Sequence, residues 1–284
     1  MQIWFARIVL IGSILISAIA ATAWSGGNPP SVDTSRPSVS FTFDDGSTDD
    51  APGLPNAVWN GMLLGHLRAA NIKAVFFACG GRLQGERGAH ILQTWNDAGH
   101  AIANHTYSHR NYSAQSVTTG AFTADILRND SILRRYSGFM PLFRFPYLKE
   151  GNTIAKVTAL RDTLTRYGYR NGYVSIDASD WYVNSRMLQR LGKDSLADIS
   201  GYRAYYIEHL YNRARYYDSL SVALTGRRVR HVLLLHHNPA AALFLADLIA
   251  HFKKNGWIIG NAPDAYSDPM YSSTVSAENA GESI

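Results

Sequence analysis

Cysteine is nearly absent from this chain: its 284 residues include one, Cys79. No disulfide can form within the chain, so packing alone has to stabilise the fold. Cys79 follows the apolar run "AVFFA" and reads as a small buried hydrophobe. Blocks of basic residues are missing too. The formal charge is +5, with arginines far outnumbering lysines, but these cations are scattered along the chain. That pattern gives mild attraction for anionic surfaces or polymers, not a nucleic-acid footprint, and no nucleic-acid recognition motif is present. No internal repeat occurs, which excludes a solenoid or array.

What is there begins with a leader. Arg7 ends a short n-region, "IVLIGSILISAIAA" is an apolar run of signal-peptide length, and "ATA" at residues 21–23 offers a small-x-small cleavage site. The expectation is a signal peptide over 1–23, hence export to the periplasm or the medium. An uncleaved leader acting as a membrane anchor is the alternative, although the run is short for a span. Residues 24–37 read as a Pro- and Gly-containing linker, 38–266 as one catalytic domain, and 267–284 as a flexible tail.

Between linker and tail, short apolar runs alternate with helical patterns. "VSFTF", "KAVFFACG", "HAIANH", "LFRFPY", "GYVSID", "HVLLLH" and "WIIG" read as strands, with amphipathic segments between them. At 46% hydrophobic and 17% charged, the chain can bury a sizeable core. Strand–helix alternation predicts an α/β fold with a parallel sheet: a distorted (β/α) barrel of about seven strands in a single domain. In such barrels the chemistry sits at the C-terminal ends of the strands. The residues there form a consistent set. Asp44 and Asp45 follow the first strand, and His105 and His109 the third. Arg144 and Tyr147 belong to the fourth, Asp177, Asp180 and Trp181 follow the fifth, and His236 and His237 the sixth.

His105 and His109 lie four apart, which on a helical turn would put both imidazoles within reach of one ion. With Asp45 they form a two-His, one-Asp set that leaves a position open for water, as catalytic zinc sites require. The ion would offset the repulsion between the adjacent carboxylates. Asp44 could then stay ionised and take a proton from the water.

"TFDDG", "HTYSH", "RFPY", "DASDW" and "LLLHH" occur in the order and rough spacing of the five motifs of the polysaccharide deacetylases, carbohydrate esterase family 4, and the chain resembles that family over residues 39–260. The resemblance implies metal-dependent removal of N-acetyl groups from a chitin-, peptidoglycan- or poly-N-acetylglucosamine-like glycan. Carried over, Asp44 is the general base, and Asp45, His105 and His109 hold a divalent ion, Zn2+ first among them. Arg144 pairs with the base, Asp180 supports the general acid His236, and Tyr147 and Trp181 meet the substrate. Two departures stand out. The third motif commonly continues Pro-Pro-Tyr-Gly, whereas here Leu148 and Lys149 follow Tyr147 and should narrow or recharge one edge of the groove. The fifth motif's histidine is commonly followed by Asp, and here by His237. Neighbouring strand residues face opposite ways, so one of the two histidines enters the site, and His236 is preferred.

The remaining histidines, His66, His90, His100, His209, His231 and His251, read as structural or solvated. The Tyr-rich segment at 201–220 reads as a helix packing its aromatic stripe on the barrel, with a sugar-stacking wall as the lesser reading. Three alternatives accompany the deacetylase: an O-acetyl esterase on a xylan-like glycan, a hydrolase of a small non-glycan amide, and a catalytically silent glycan-binding protein. The expected partner is an acetylated glycan, not nucleic acid, with no stable membrane insertion once the leader is cleaved.

Overall fold

The structure is a computed structural model that describes Ser35–Ser273; the expected signal peptide and most of the expected linker lie outside the described residues. Among the described residues are eight strands and eight α-helices, beginning β1 (Ser38–Asp45), α1 (Asn56–Ala69), β2 (Val75–Ala78), α2 (Gly85–Asp97), β3 (Ala101–Asn104), α3 (Thr119–Leu133) and β4 (Phe139–Phe143). After a 3-10 turn at Pro146–Leu148 come α4 (Ile154–Arg166), β5 (Arg170–Asn171), β6 (Ile176–Asp177), α5 (Asp180–Lys193) and α6 (Ser200–Thr225). The series ends with β7 (Arg230–His236), α7 (Pro239–Lys254), β8 (Ile258–Ile259) and α8 (Ala262–Ala265).

Every pairing is parallel, in the order β5-β4-β3-β2-β1-β7-β6, with β8 beside the start of β1. The stretch expected as one strand, "GYVSID", is divided. The run 170–177 pairs first with β4 as β5 and then, four residues on, with β7 as β6. Gly172 N–H donates to Phe143 O at 2.6 Å and Ser175 N–H to Val232 O at 3.2 Å, so one extended run serves both edges and closes the curled sheet. This seam, two residues of ladder on each side, is the distortion of the barrel.

Burial follows the two-residue period of strands. Phe41, Phe43, Phe76, Ile102, Leu233 and Leu235 pack against the surrounding helices. Val75, Phe77, Ala103, Leu142 and Val232 form a separate cluster inside with Tyr266 and Tyr271. Seven of the eight β1 residues are buried, as expected for a parallel strand covered on both faces. Cys79 is buried, and so are Trp59 and Trp95. The helices start where the sequence caps them. Thr118, Thr153 and Asn238 accept from Ala121, Lys156 and Ala241 N–H, and Pro239 takes the first position of α7.

The Tyr-rich helix behaves mainly as the packing reading expects. Tyr206 is fully buried, and Tyr202, Tyr211 and Tyr217 are half-buried against the core, while Tyr205 and Tyr216 face solvent. The packed body runs past the expected boundary at 266. Asp268 is buried in an ion pair with Arg227, and Tyr271 is buried in a 3-10 turn at Pro269–Ser272, so the C-terminal segment packs through that turn.

Candidate active site

Strand alternation sends Ser40, Thr42 and Asp44 to the inner face and would send Asp45 outward. Asp45 instead adopts φ +77°, and Gly46 follows at +105°. The chain turns off the strand at this point, and both carboxylates enter one site. A Cβ on Gly46 would lie 2.7 Å from Leu83 Cδ1, so glycine is required for space as well as for its backbone angle.

Asp44 is 2% exposed. Its Oδ1 accepts from Arg144 Nη1 at 2.5 Å. Arg144 is fully clamped: Nε donates to Gly172 O, Nη1 also to Thr42 Oγ1, Nη2 to Tyr266 OH, and its guanidinium lies 3.8 Å over the Phe77 ring. Burial pushes the Asp44 carboxyl up to about 6, against the lowering pull of Arg144.

Asp45 Oδ1 lies 3.0 Å from His109 Nε2 and 3.6 Å from His105 Nε2. Suitable ligand atoms of these three side chains lie within 4.8 Å of one another. Oδ1 is buried and has no well-directed hydrogen-bond donor. His105 Nδ1 donates to Arg144 O at 2.9 Å, which aims the lone pair of Nε2 inward. Burial, then the neighbouring His109, holds the His105 imidazole neutral, well below its ordinary value. An orphaned carboxylate oxygen facing two imidazole nitrogens is a donor set that fits a divalent cation. Burial opposes ionisation of Asp45, but the close approach of His109 Nε2 and the positive charge of His236 outweigh it and lower its carboxyl.

The histidine pair does not lie on the expected helical turn. Residues 105–111 form an irregular loop, with Thr106 at φ +64° and His109 at φ +55°. Side chains fix its path. Asn104 Oδ1 accepts from Thr106 N–H, Thr106 Oγ1 accepts from His109 N–H, and Asp125 accepts from Ser108. The i, i+4 spacing brings the rings together, at 5.0 Å between centroids, through backbone kinks and not through helix periodicity.

Asp44 and His236 are register partners across the β1–β7 ladder, and both point inward. His236 Nδ1 meets Asp180 Oδ1 at 2.6 Å, while Asp180 Oδ2 accepts from His236 N–H and Asn238 Nδ2. Burial alone would lower the imidazole. The charge and hydrogen bond of Asp180 override it and raise His236 to about 9. His237 takes the opposite face. It packs among Trp59, Phe76 and Trp95, accepts from Ser47 N–H at Nδ1, and donates from Nε2 to Asn60 Oδ1. Burial pushes it down to about 3, so it stays neutral.

Tyr147 and Trp181 are exposed rings; Tyr147 lies 4.8 Å from the His109 ring, and Trp181 follows Asp180 and meets the Tyr182 ring. Sequence reading missed three contributors. Arg82 Nη1 lies 3.1 Å from Asp45 Oδ2, leaving Oδ1 to the histidines. Thr42 and Tyr266 complete the clamp on Arg144. Arg82 follows β2 at the same rim, so the strand-end rule applied to every strand would have found it. Tyr266 comes from the opposite end of the chain, and nothing in its surroundings in the sequence marks it.

The sequence model of a family described as polysaccharide deacetylase matches residues 31–170. A peptidoglycan-N-acetylglucosamine deacetylase of Bacillus cereus is 34% identical over 110 residues, which are 38% of this chain and 36% of that protein. Chitin deacetylase 1 of Cryptococcus neoformans var. grubii is 26% identical over 149 residues, 51% of this chain and 29% of its own. The chain therefore spans about a third of the length of the curated relatives it matches. A family 4 carbohydrate esterase from Streptomyces lividans, solved in complex with acetate, shares the fold with a TM-score of 0.54 at 20% identity, covering 82% of this chain and 96% of that one.

Proposed function

From the premise that the chain belongs, through residues 31–170, to the polysaccharide deacetylases, we propose that it is an exported, metal-dependent hydrolase that removes N-acetyl groups from an acetylated glycan. One observation carries this reading. A buried carboxylate, Asp44, stands between a clamped arginine and a two-His, one-Asp donor set, facing a carboxylate-backed histidine across one strand pair. Hydrolysing an amide needs a base for water and an acid for the departing amine, and Asp44 and His236, register partners across β1 and β7, are the candidates for these two roles.

A divalent ion held by Asp45, His105 and His109 would supply Lewis-acid polarisation of the acetyl carbonyl and acidify water in the site. Asp44 then accepts the proton of the attacking water; Arg144, hydrogen-bonded to its other face, fixes which oxygen does so. His236, held protonated by Asp180, gives its proton to the amide nitrogen so that the amine can leave. Tyr147 would meet the developing oxyanion through its backbone N–H, and the exposed rings of Tyr147 and Trp181 offer faces to sugar. The leader over 1–23 supports export, and no helix among the described residues is long and apolar enough to cross a membrane.

The test is acetate release from chitin oligomers, peptidoglycan, poly-N-acetylglucosamine and acetylated xylan, with and without chelator. Chelator-sensitive release from an N-acetylated glycan, abolished in Asp45→Ala, is expected. Release confined to xylan would move the reading to an ester, and chelator-insensitive release would refute the metal site.

A further inference from the structure

Beside the catalytic centre is a cavity of about 370 Å³ that the proposed chemistry does not use. Its floor is the turn that carries Tyr147 and Lys149, and one wall is the segment Asp177 to Ser179 that leads into Asp180. The other wall is α6, which contributes His209, Arg213 and Tyr217. Tyr147 separates this space from His109, so the cavity continues the site sideways by about the width of one ring. The α6 wall lies outside residues 31–170, the part matched to the family.

The chemistry of the wall is specific. Arg213 is half-buried, with its guanidinium 4.9 Å from the Tyr217 ring and 5.6 Å from the Tyr216 ring. Its Nη2 donates to Tyr217 OH at 2.8 Å and its Nε to Asp177 O at 3.4 Å. Arg213 faces no carboxylate within ion-pair distance among the described residues, and its Nη1 makes no hydrogen bond there. Tyr217 OH accepts from Arg213, so its own proton remains to donate. Asp177, the one acidic lining residue, accepts from Ser179 N–H through Oδ1. Arg213 and Lys149 are the basic residues of the lining. A planar arginine held by aromatic rings, next to a hydroxyl donor, suits a carboxylate gripped by parallel hydrogen bonds. Tyr147 supplies an exposed aromatic face on the same cavity for a pyranose.

We propose that this cavity is a carboxylate-recognising subsite, built by α6 and the turn after β4, which selects glycans carrying an acidic sugar next to the N-acetylated one. The inference rests on the deacetylase reading and narrows its substrate to an anionic heteropolymer over a neutral homopolymer. The experiment compares two N-acetylated oligosaccharides that differ only in a neighbouring sugar's carboxylate, free in one and converted to the methylamide in the other. The native chain should favour the free acid by about tenfold in kcat/KM, the scale of one charge-assisted hydrogen-bond pair. Arg213→Gln should bring that ratio close to one, and Tyr217→Phe should lower it partway. A native ratio of one, or a loss in Arg213→Gln that is equal on both substrates, overturns the subsite while leaving the deacetylase intact. Calorimetric binding of the deacetylated acidic oligosaccharide provides a readout without turnover. About tenfold weaker binding in Arg213→Gln supports the subsite even where no acetate is released, and unchanged binding overturns it.

Discussion

Replacing Asp180 with Asn tests the proton inventory directly. Asp180 is fully buried and contacts His236 twice, through Nδ1 at 2.6 Å and the backbone N–H at 3.0 Å. It is the main reason that the imidazole rises to about 9 against its own burial. Without that charge, burial acts unopposed by its principal counterweight, and the group falls to or below the ordinary value of about 6.5. At pH 8 the protonated fraction then drops from about nine-tenths to about 3%, roughly a 30-fold loss of the competent form. The alkaline limb of the kcat/KM profile should move from near pH 9 down by about 2.5 units or more. Any bound ion is common to both proteins, so the comparison isolates Asp180. Linkage gives a second readout. A histidine whose folded value is raised adds stability that is complete below about pH 6.5 and is lost as pH rises through about 9, on the order of 3 kcal/mol. The native chain should therefore lose stability between pH 6 and pH 10, and Asp180→Asn should lose less. An alkaline limb that stays in place in the variant, with the His236 ring signal titrating as in the native chain, would refute the assignment of His236 as the acid set by Asp180.

Two further predictions separate neighbours in the sequence. His236→Ala should nearly abolish amide hydrolysis and, by removing the partner of buried Asp180, should cost on the order of 3 kcal/mol below about pH 6.5, a cost that shrinks as pH rises through about 9. His237→Ala should cost about 2–4 kcal/mol of stability, since it empties a space among three aromatic rings and strands Ser47 N–H and Asn60. Urea unfolding over the same pH range, beside acetate release, distinguishes the two, and equal effects would contradict the assignment. At the turn after β4, Leu148 holds φ +55°, a conformation that costs an L-residue roughly 1–2 kcal/mol. Leu148→Gly should stay within about 1 kcal/mol of the native chain, and Leu148→Val should lose about 1–2 kcal/mol more than Gly, because β-branching tolerates that angle least. Thermal unfolding of the pair checks this.

The difference between what the sequence discloses and what it conceals follows from which rule governs each residue. Period-two alternation is local and legible. It assigns Asp44 and His236 to the inner face and His237 to the aromatic side, and the register of β1 with β7 brings the first two together. The same rule would put Asp45 outward, and it fails because φ +77° at this last residue of β1 turns the chain off the strand. The glycine after it is the local trace of that break, and "DDG" is therefore more informative than "DD". His105 and His109 were legible as partners but not as a loop. The reason is that Asn104, Thr106 and Asp125 hold the kinks by side-chain bonds that no periodicity encodes. The sequence over 170–177 is one extended run and reads as one strand; only the curvature of the sheet makes it change partners. Contacts distant in sequence were illegible for the same reason. Tyr266 reaches Arg144 across 122 residues, and Arg213 reaches the catalytic edge only because α6 folds back beside the turn after β4. Alternation and strand ends thus carry the proposed catalytic residues, whereas the wall that would choose the substrate depends on packing between segments that share no local pattern. On the proposed reading, substitutions in α6 alter substrate choice without disturbing the strand ends that carry Asp44 and His236.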